Sequence, residues 1–248
     1  MNIELANLTK VYDGNVVLSI GRLVLDQGEF VGLIGNNGAG KTTLLRLILD
    51  LVKPTSGDVR SGGERVSEGE GWKAYTGSYL EEGFLIDYLT PREFFEFVGA
   101  TRGLSWRETL EELSDFEEFL GPEILHRSRQ YIRNLSKGNI QKVGITSAMI
   151  GNSQIVVLDE PFASLDPTSQ IVLKSILRNY QQRTNALFLI SSHNLSQVVD
   201  LCSRVILLER GVVIRNELMS GNSREVLARL ERYFTPQDSD NSTKCLLG

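Results

Sequence analysis

The chain has 248 residues, 41% hydrophobic and 23% charged, with a net charge of −5. That length suits one α/β domain or two small ones, and the charge gives no bulk electrostatic case for nucleic-acid binding. Apolar runs such as Ile155–Leu158 are too short to span a bilayer. The start, Met1–Leu5, lacks the basic and apolar regions of a leader, and two cysteines, Cys202 and Cys245, fit a reducing cytosol better than a disulfide framework.

Ile3–Tyr12 and Val16–Leu25 are expected as strands, with Asp13-Gly14 as the turn between them. Glu29–Ile34 is a short apolar run of strand type. Leu44, Leu45, Leu47, Ile48 and Leu51 then recur at helical spacing, and Lys53-Pro54-Thr55-Ser56-Gly57 stops that helix. Residues 58–71 read as hairpin and loop. Residues 72–106 are rich in aromatics, among them Trp72, Tyr79, Phe84, Tyr88, Phe94, Phe95 and Phe97. Thr90 is expected as an N-cap, with Pro91 at the first helical position and Glu93 completing a capping box. From there to about Ala148 the pattern is helical and no strand is evident. Strands at 154–158 and 186–190 alternate with a helix at 167–183, then a helix near 194–201 and a strand pair near 204–215. Ser223–Phe234 is amphipathic, and Thr235–Gly248 is polar and expected to fray. The expectation is therefore an α/β fold over residues 1–220. It has an N-terminal antiparallel β part, a mostly parallel core, and a helical insert at about 85–150. A helix over 221–234 and a tail over 235–248 follow.

The segment Gly35-Asn36-Asn37-Gly38-Ala39-Gly40-Lys41-Thr42-Thr43 satisfies the phosphate-binding pattern G-x-x-x-x-G-K-[ST]. It lies between a strand and a helix, where such a loop must lie. Glycines let backbone N–H groups turn towards phosphate oxygens, and the helix N-terminus adds its positive end. Lys41 can reach the β- and γ-phosphates, and the Thr42 hydroxyl can ligate Mg²⁺. The competing reading is a Gly-rich turn that binds nothing, and the flanking strand and helix weigh against it. Ile155-Val156-Val157-Leu158-Asp159-Glu160-Pro161 is a buried-type strand ending in two carboxylates. Asp159 is expected to face the metal and phosphates, and Glu160 to polarise an attacking water. Two solvated acids at a strand end are the plain alternative.

Leu135-Ser136-Lys137-Gly138-Asn139 opens a helix-like run with a hydroxyl and close backbone N–H groups. Together with the two preceding motifs, in this order and spacing, it makes residues 1–220 resemble the ATP-binding cassette (ABC) ATPases, whose signature is L-S-x-G-Q. The resemblance implies the fold of that family, ATP hydrolysis with ATP and Mg²⁺, and a dimer in which Ser136 and Gly138 of one chain close the ATP site of the other. It implies that Tyr12 stacks on adenine, although a core aromatic would look the same. Ser164-Leu165-Asp166 matches the loop at the dimer interface, and His193 matches the switch histidine near the γ-phosphate. His126 matches nothing and is assigned to the surface.

Two positions depart from the pattern. Glu81 stands where the family has a metal-ligating Gln, with Glu82 as the alternative register, and a carboxylate there can still hold Mg²⁺ while repelling phosphate. Asn139 replaces the signature Gln and keeps an amide. Asp87–Phe97 resembles the ATP-binding subunits of bacterial multidrug, antibiotic and bacteriocin exporters. That implies a permease partner docking in a groove near Glu81–Phe97 by a helix-in-groove mode, on the inner face of the cell membrane, although several of those aromatics are expected in the core. The second chain of the dimer is expected to be a copy of this one or a different ATPase. A cluster-assembly ATPase outside transport is the competing class. The terminal Cys245-Leu246-Leu247-Gly248 and the sequon Asn134-Leu135-Ser136 are set aside as lipidation and glycosylation signals.

Overall fold

Along the first strand Ile3 and Leu5 alternate onto one buried face and the phase changes at Asn7, at φ 48°, so that Leu8 is buried too, while its partner strand buries Leu18 and Ile20, then Leu23 and Leu25. These are β1 (Ile3–Tyr12) and β2 (Asn15–Leu25), an antiparallel pair joined through Asp13-Gly14. The computed structural model describes residues 1–125, 130–219 and 230. The expected helix at 221–234, the tail at 235–248 and His126 lie outside the described residues, Leu230 excepted. Strands β4 (Ser56–Ser61) and β5 (Glu64–Arg65) complete a four-stranded antiparallel sheet in the order β2-β1-β4-β5.

The second sheet is built on β3 (Phe30–Ile34), in which all five residues are buried. It has six strands in the order β10-β9-β3-β8-β7-β6. These are β6 (Thr76–Tyr79), β7 (Ile155–Leu158), β8 (Leu187–Ser192), β9 (Arg204–Glu209) and β10 (Val212–Leu218). All pairings are parallel except β9 with β10. Both faces are covered, which is why these strands read as continuous apolar runs. Ile155, Val157, Leu187, Leu189, Ile206 and Leu208 pack towards the antiparallel sheet and α1 (Lys41–Ile48). Val156, Leu158, Phe188, Ile190, Val205 and Leu207 pack towards the remaining helices. There Phe30 stacks on Phe188 at 4.8 Å between ring centroids, and Tyr180 meets Phe188 edge-on at 5.9 Å.

Helices α2 (Pro91–Thr101), α3 (Trp106–Leu113), α4 (Glu117–Leu125) and α5 (Lys137–Ser147) lie in the chain between β6 and β7. The predicted capping box is formed: Glu93 N–H donates to Thr90 Oγ1 at 3.3 Å and Thr90 N–H to Glu93 Oε2 at 2.8 Å. A second box at Ser105 and Glu108 starts α3. Gly121, at φ 71°, followed by Pro122, breaks α4 into two pieces. After β7 come α6 (Pro167–Thr184) and the short α7 (Leu195–Val198).

Two local expectations need correction. Strand β6 falls in the aromatic-rich stretch, where no strand had been assigned. With the sequence Thr76-Gly77-Ser78-Tyr79 it has little apolar signal, because its place is set by pairing with β7 and by close approach. A Cβ at Gly77 would lie 1.7 Å from the Ala148 carbonyl oxygen. Helix α1 ends at Ile48, so Leu51 is not part of its buried stripe and stands 47% exposed.

Candidate active site

Three parallel strands deliver the polar cluster at their C-terminal ends, where open α/β sheets place their ligands. The glycine-rich loop follows β3, Asp159 and Glu160 follow β7, and His193 follows β8. The loop runs close to β9: a Cβ at Gly35 would lie 2.4 Å from the Leu208 carbonyl oxygen. Gly38 and Gly40 have φ of 80° and 102°, a backbone region that side-chain-bearing residues rarely adopt. The loop feeds straight into α1, whose first residue is Lys41.

Lys41 is 7% exposed, and its ammonium donates to the Gly35 carbonyl at 2.7 Å and the Asn36 carbonyl at 3.4 Å. It also stands 3.5 Å from Glu160 Oε1. Asp159 is 8% exposed. Its Oδ2 accepts from the Thr42 hydroxyl at 2.6 Å, and its Oδ1 accepts from the Ser191 hydroxyl. Thr42 and Asp159 thus place a hydroxyl and a carboxylate side by side, the hard oxygen donors that suit Mg²⁺.

Glu160 is fixed from four directions. Its N–H donates to Ser191 Oγ at 2.9 Å, and its carbonyl accepts from Gln141 Nε2 at 3.0 Å. Its Oε1 faces Lys41, and its Oε2 lies 2.9 Å from His193 Nδ1. A carboxylate only accepts, so the proton of that last bond sits on Nδ1. The backbone of Glu160 has φ 48°, a conformation that costs a non-glycine residue about 1–3 kcal/mol and persists only where its surroundings impose it.

Ser191 and Gln141 were not singled out in the sequence. Ser191 is fully buried two residues before His193 and bridges the two acids. The only sequence signal for it was a polar residue near the end of an apolar strand. Gln141, 5% exposed, also accepts from Ser164 N–H at 3.2 Å, so one amide ties α5 to both Glu160 and the loop after it.

The cleft beside Lys41 has a volume of about 500 Å³ and is lined by Val16, Val17, residues 37–43, Asp159, Glu160 and Arg210. Some expected site residues are elsewhere. Tyr12 does not line it; the ring is 42% exposed, with the Lys10 ammonium 4.6 Å from its centroid. Glu81 is not among the residues lining the cleft, and its carboxylate pairs with Arg46 Nη2 at 2.6 Å. Arg46 lies on α1 one turn beyond Thr42. Ser136 and Gly138 do not line the cleft either. Ser136 caps α5, accepting from Asn139 N–H at 3.3 Å, and a Cβ at Gly138 would lie 3.0 Å from the Ser164 carbonyl oxygen. Ser164 and Asp166 are exposed, Leu165 is buried, and Asp166 caps α6 by accepting from Ser169 N–H at 3.0 Å. The Ser169 bonds hold the Asp166 carboxyl below its ordinary range.

The fold and the cluster define a P-loop nucleotide site on a parallel sheet. The profile of the ABC transporter family matches residues 19–163. An ABC transporter ATP-binding protein of Synechocystis is 31% identical over 85% of this chain and 58% of its own length. A second cyanobacterial relative, from Nostoc, is 30% identical with 61% of its length covered, so the chain spans about three-fifths of these relatives. The tungstate uptake ATP-binding protein TupC of Peptoclostridium acidaminophilum is 32% identical over 86% of this chain and 97% of its own. Among solved structures, an ATP-binding subunit of an ABC transporter superposes with a TM-score of 0.82 at 28% identity, covering 94% of this chain and 98% of that one. A dimeric ATP-binding cassette in a post-hydrolysis state, bound to ADP and phosphate, superposes with a TM-score of 0.78 at 25% identity, covering 88% of this chain and 99% of that one. The chain belongs to the ABC transporter family and has its ATP-binding cassette fold.

Proposed function

We propose that this chain binds ATP in the cleft beside Lys41, hydrolyses it to ADP and phosphate, and drives a separate membrane permease as part of a dimer. The observation that carries the reading is the placement of Glu160. Its carboxylate is held between Lys41 and His193, one residue from the Asp159–Thr42 pair.

The N–H groups of the loop and the N-terminus of α1 take the phosphate oxygens. Lys41 balances the charge on the β- and γ-phosphates, which draws its ammonium away from Glu160. The freed carboxylate takes a proton from the water that attacks the γ-phosphorus, and ADP leaves. His193 positions that carboxylate through Nδ1–H. Thr42 and Asp159 would hold Mg²⁺, which would neutralise charge on the phosphates. Glu160→Gln tests the assignment. It keeps ATP binding and loses about 10²–10⁴-fold in turnover; a turnover within a few-fold of the parent removes Glu160 as the base.

Dimerisation is supported by what the cleft lacks. Ser136 and Gly138 are absent from its lining, and Gly138 stands beside Ser164, so on this reading a second chain brings a signature to Lys41. The dimeric cassette among the similar structures supports the same reading.

Permease docking is supported by a cavity of about 600 Å³ away from the cleft, lined in part by Leu49, Leu51, Trp72, Leu80, Phe84 and Arg102. Of the expected aromatics Phe84 lines it, while Phe94 and Phe95 are core residues. Among the described residues no helix is long and apolar enough to cross a membrane, so the reading puts the chain against the inner membrane face through its permease. The named relatives include tungstate uptake, nitrate import and methionine import proteins. The export direction therefore rests on sequence likeness, that of Asp87–Phe97 and that of the Lys137-Gly138 form of the signature. Transport assays with the copurified permease in vesicles decide it.

A further inference from the structure

Three hairpins among the described residues close in two residues, and the residues at their tips differ. Asp13-Gly14, Gly62-Gly63 and Arg210-Gly211 all have positive φ at both positions: 48° and 79°, 58° and 87°, 47° and 78°. Such turns favour Asn, Asp or Gly at the first position. Two of the three comply. The β9–β10 turn instead places an arginine where the left-handed backbone disfavours a long side chain.

That turn is fastened to the nucleotide loop. Gly211 N–H donates to the Ala39 carbonyl at 2.9 Å, and the Gly211 carbonyl accepts from Ser19 N–H at 2.8 Å. The space is too tight for a larger residue at the second position, since a Cβ at Gly211 would lie 2.3 Å from the Val17 carbonyl oxygen. Arg210 is thereby held at the rim and lines the cleft together with Lys41, Thr42 and Thr43. It also lines an adjoining cavity of about 260 Å³ along residues 35–39.

Two cations line the cleft, and they are in opposite states. Lys41 is engaged by two carbonyls and Glu160. Arg210 is exposed and has no hydrogen-bond or ion-pair partner among the described residues, although its five N–H donors suit phosphate oxygens. We propose that Arg210 is a nucleotide-binding residue of this chain, donating from the β9–β10 turn to the polyphosphate of bound ATP. It adds a side-chain cation opposite the one supplied by α1, and it accounts for an arginine at a turn position that other residues fill at lower cost.

This inference rests on the cleft being the nucleotide site, and the experiment separates the two. ATP and ADP affinities are measured by calorimetry on the full chain for the parent, Lys41→Ala, Arg210→Asn, Arg210→Ala and Arg210→Lys. Asn is the residue the turn prefers, so Arg210→Asn keeps or raises the melting temperature, and any loss of affinity in it comes from the guanidinium. A charge-assisted hydrogen bond corresponds to about a tenfold or larger change in Kd. The expected result is a loss of about that size for ATP in Arg210→Asn and Arg210→Ala. Arg210→Lys should recover part of it, and the salt dependence of binding should be shallower in the two neutral variants. Parent-like ATP affinity in Arg210→Asn, alongside a clear loss in Lys41→Ala, overturns the role of Arg210 and leaves the site intact. Equal affinity in Lys41→Ala and the parent overturns the site itself.

Discussion

The cleft around Lys41 and the surface around Ser136 are built in opposite ways. Around Lys41, three polar side chains are buried and answered within the chain: Lys41 is 7% exposed, Asp159 8%, and Ser191 is fully buried between the two acids. At the signature surface, Ser136, Ser164 and Asp166 are exposed, and the side chains of Ser136 and Asp166 cap helix starts. Buried polar groups must be paired before a substrate arrives, or they cost stability. A surface meant for another molecule keeps its donors in water until that molecule comes. On the proposed reading the first half performs chemistry and the second meets a partner chain, and Gln141 bonds to both Glu160 and Ser164.

The largest effect should come from Lys41. Lys41→Ala is expected to abolish hydrolysis and to weaken ATP binding by about 10–100-fold, the worth of one or two charged hydrogen bonds. Nucleotide titration with a melting control checks it, and parent-like affinity breaks the cleft half of the comparison. Ser191→Ala comes next. It leaves Asp159 Oδ1 and Glu160 N–H without their shared partner, so unfolding free energy in urea should fall by about 1–3 kcal/mol. Ser164→Ala, on the exposed side, should stay within about 0.5 kcal/mol of the parent. Equal losses from the two serines would erase the distinction drawn here.

Glu81 gives the smallest expected effect. Its pair with Arg46 is solvent-exposed, and such pairs are worth about 0–1 kcal/mol. Glu81→Gln should therefore keep both fold and ATPase rate within a few-fold. A large rise in the Mg²⁺ concentration needed for ATP binding in Glu81→Ala would instead assign Glu81 to the metal group with Thr42 and Asp159.

Much of this was legible in the sequence because the chemistry demands particular residues at fixed spacing. The glycine pattern, the two acids after an apolar strand and the Thr90–Glu93 capping box can be read without a structure. What escaped was set by tertiary contacts. Strand β6 is specified by its neighbour β7, since its own four residues alternate weakly. Leu51 kept the helical spacing of α1 but lies beyond its end. Ser191 and Gln141 act through side-chain bonds to residues far along the chain, and Arg210 acts through a turn, where sequence reading expects only punctuation. The pair of Glu81 with Arg46, from a different element, likewise could not be read from local spacing.

The central claim is that the two halves of one site come from two chains. Lys41→Ala and Ser136→Arg are each expected to be inactive alone, and mixing them tests the claim directly. In a head-to-tail mixed dimer both defects fall in one composite site, and the other site is intact. ATPase activity should therefore reappear in the mixture. The control is the parent mixed with the Lys41→Ala/Ser136→Arg double mutant, whose mixed dimers contain no intact site and should add nothing beyond the parent dimers present. Silence from a single-mutant mixture in which mixed dimers are demonstrated would contradict the account.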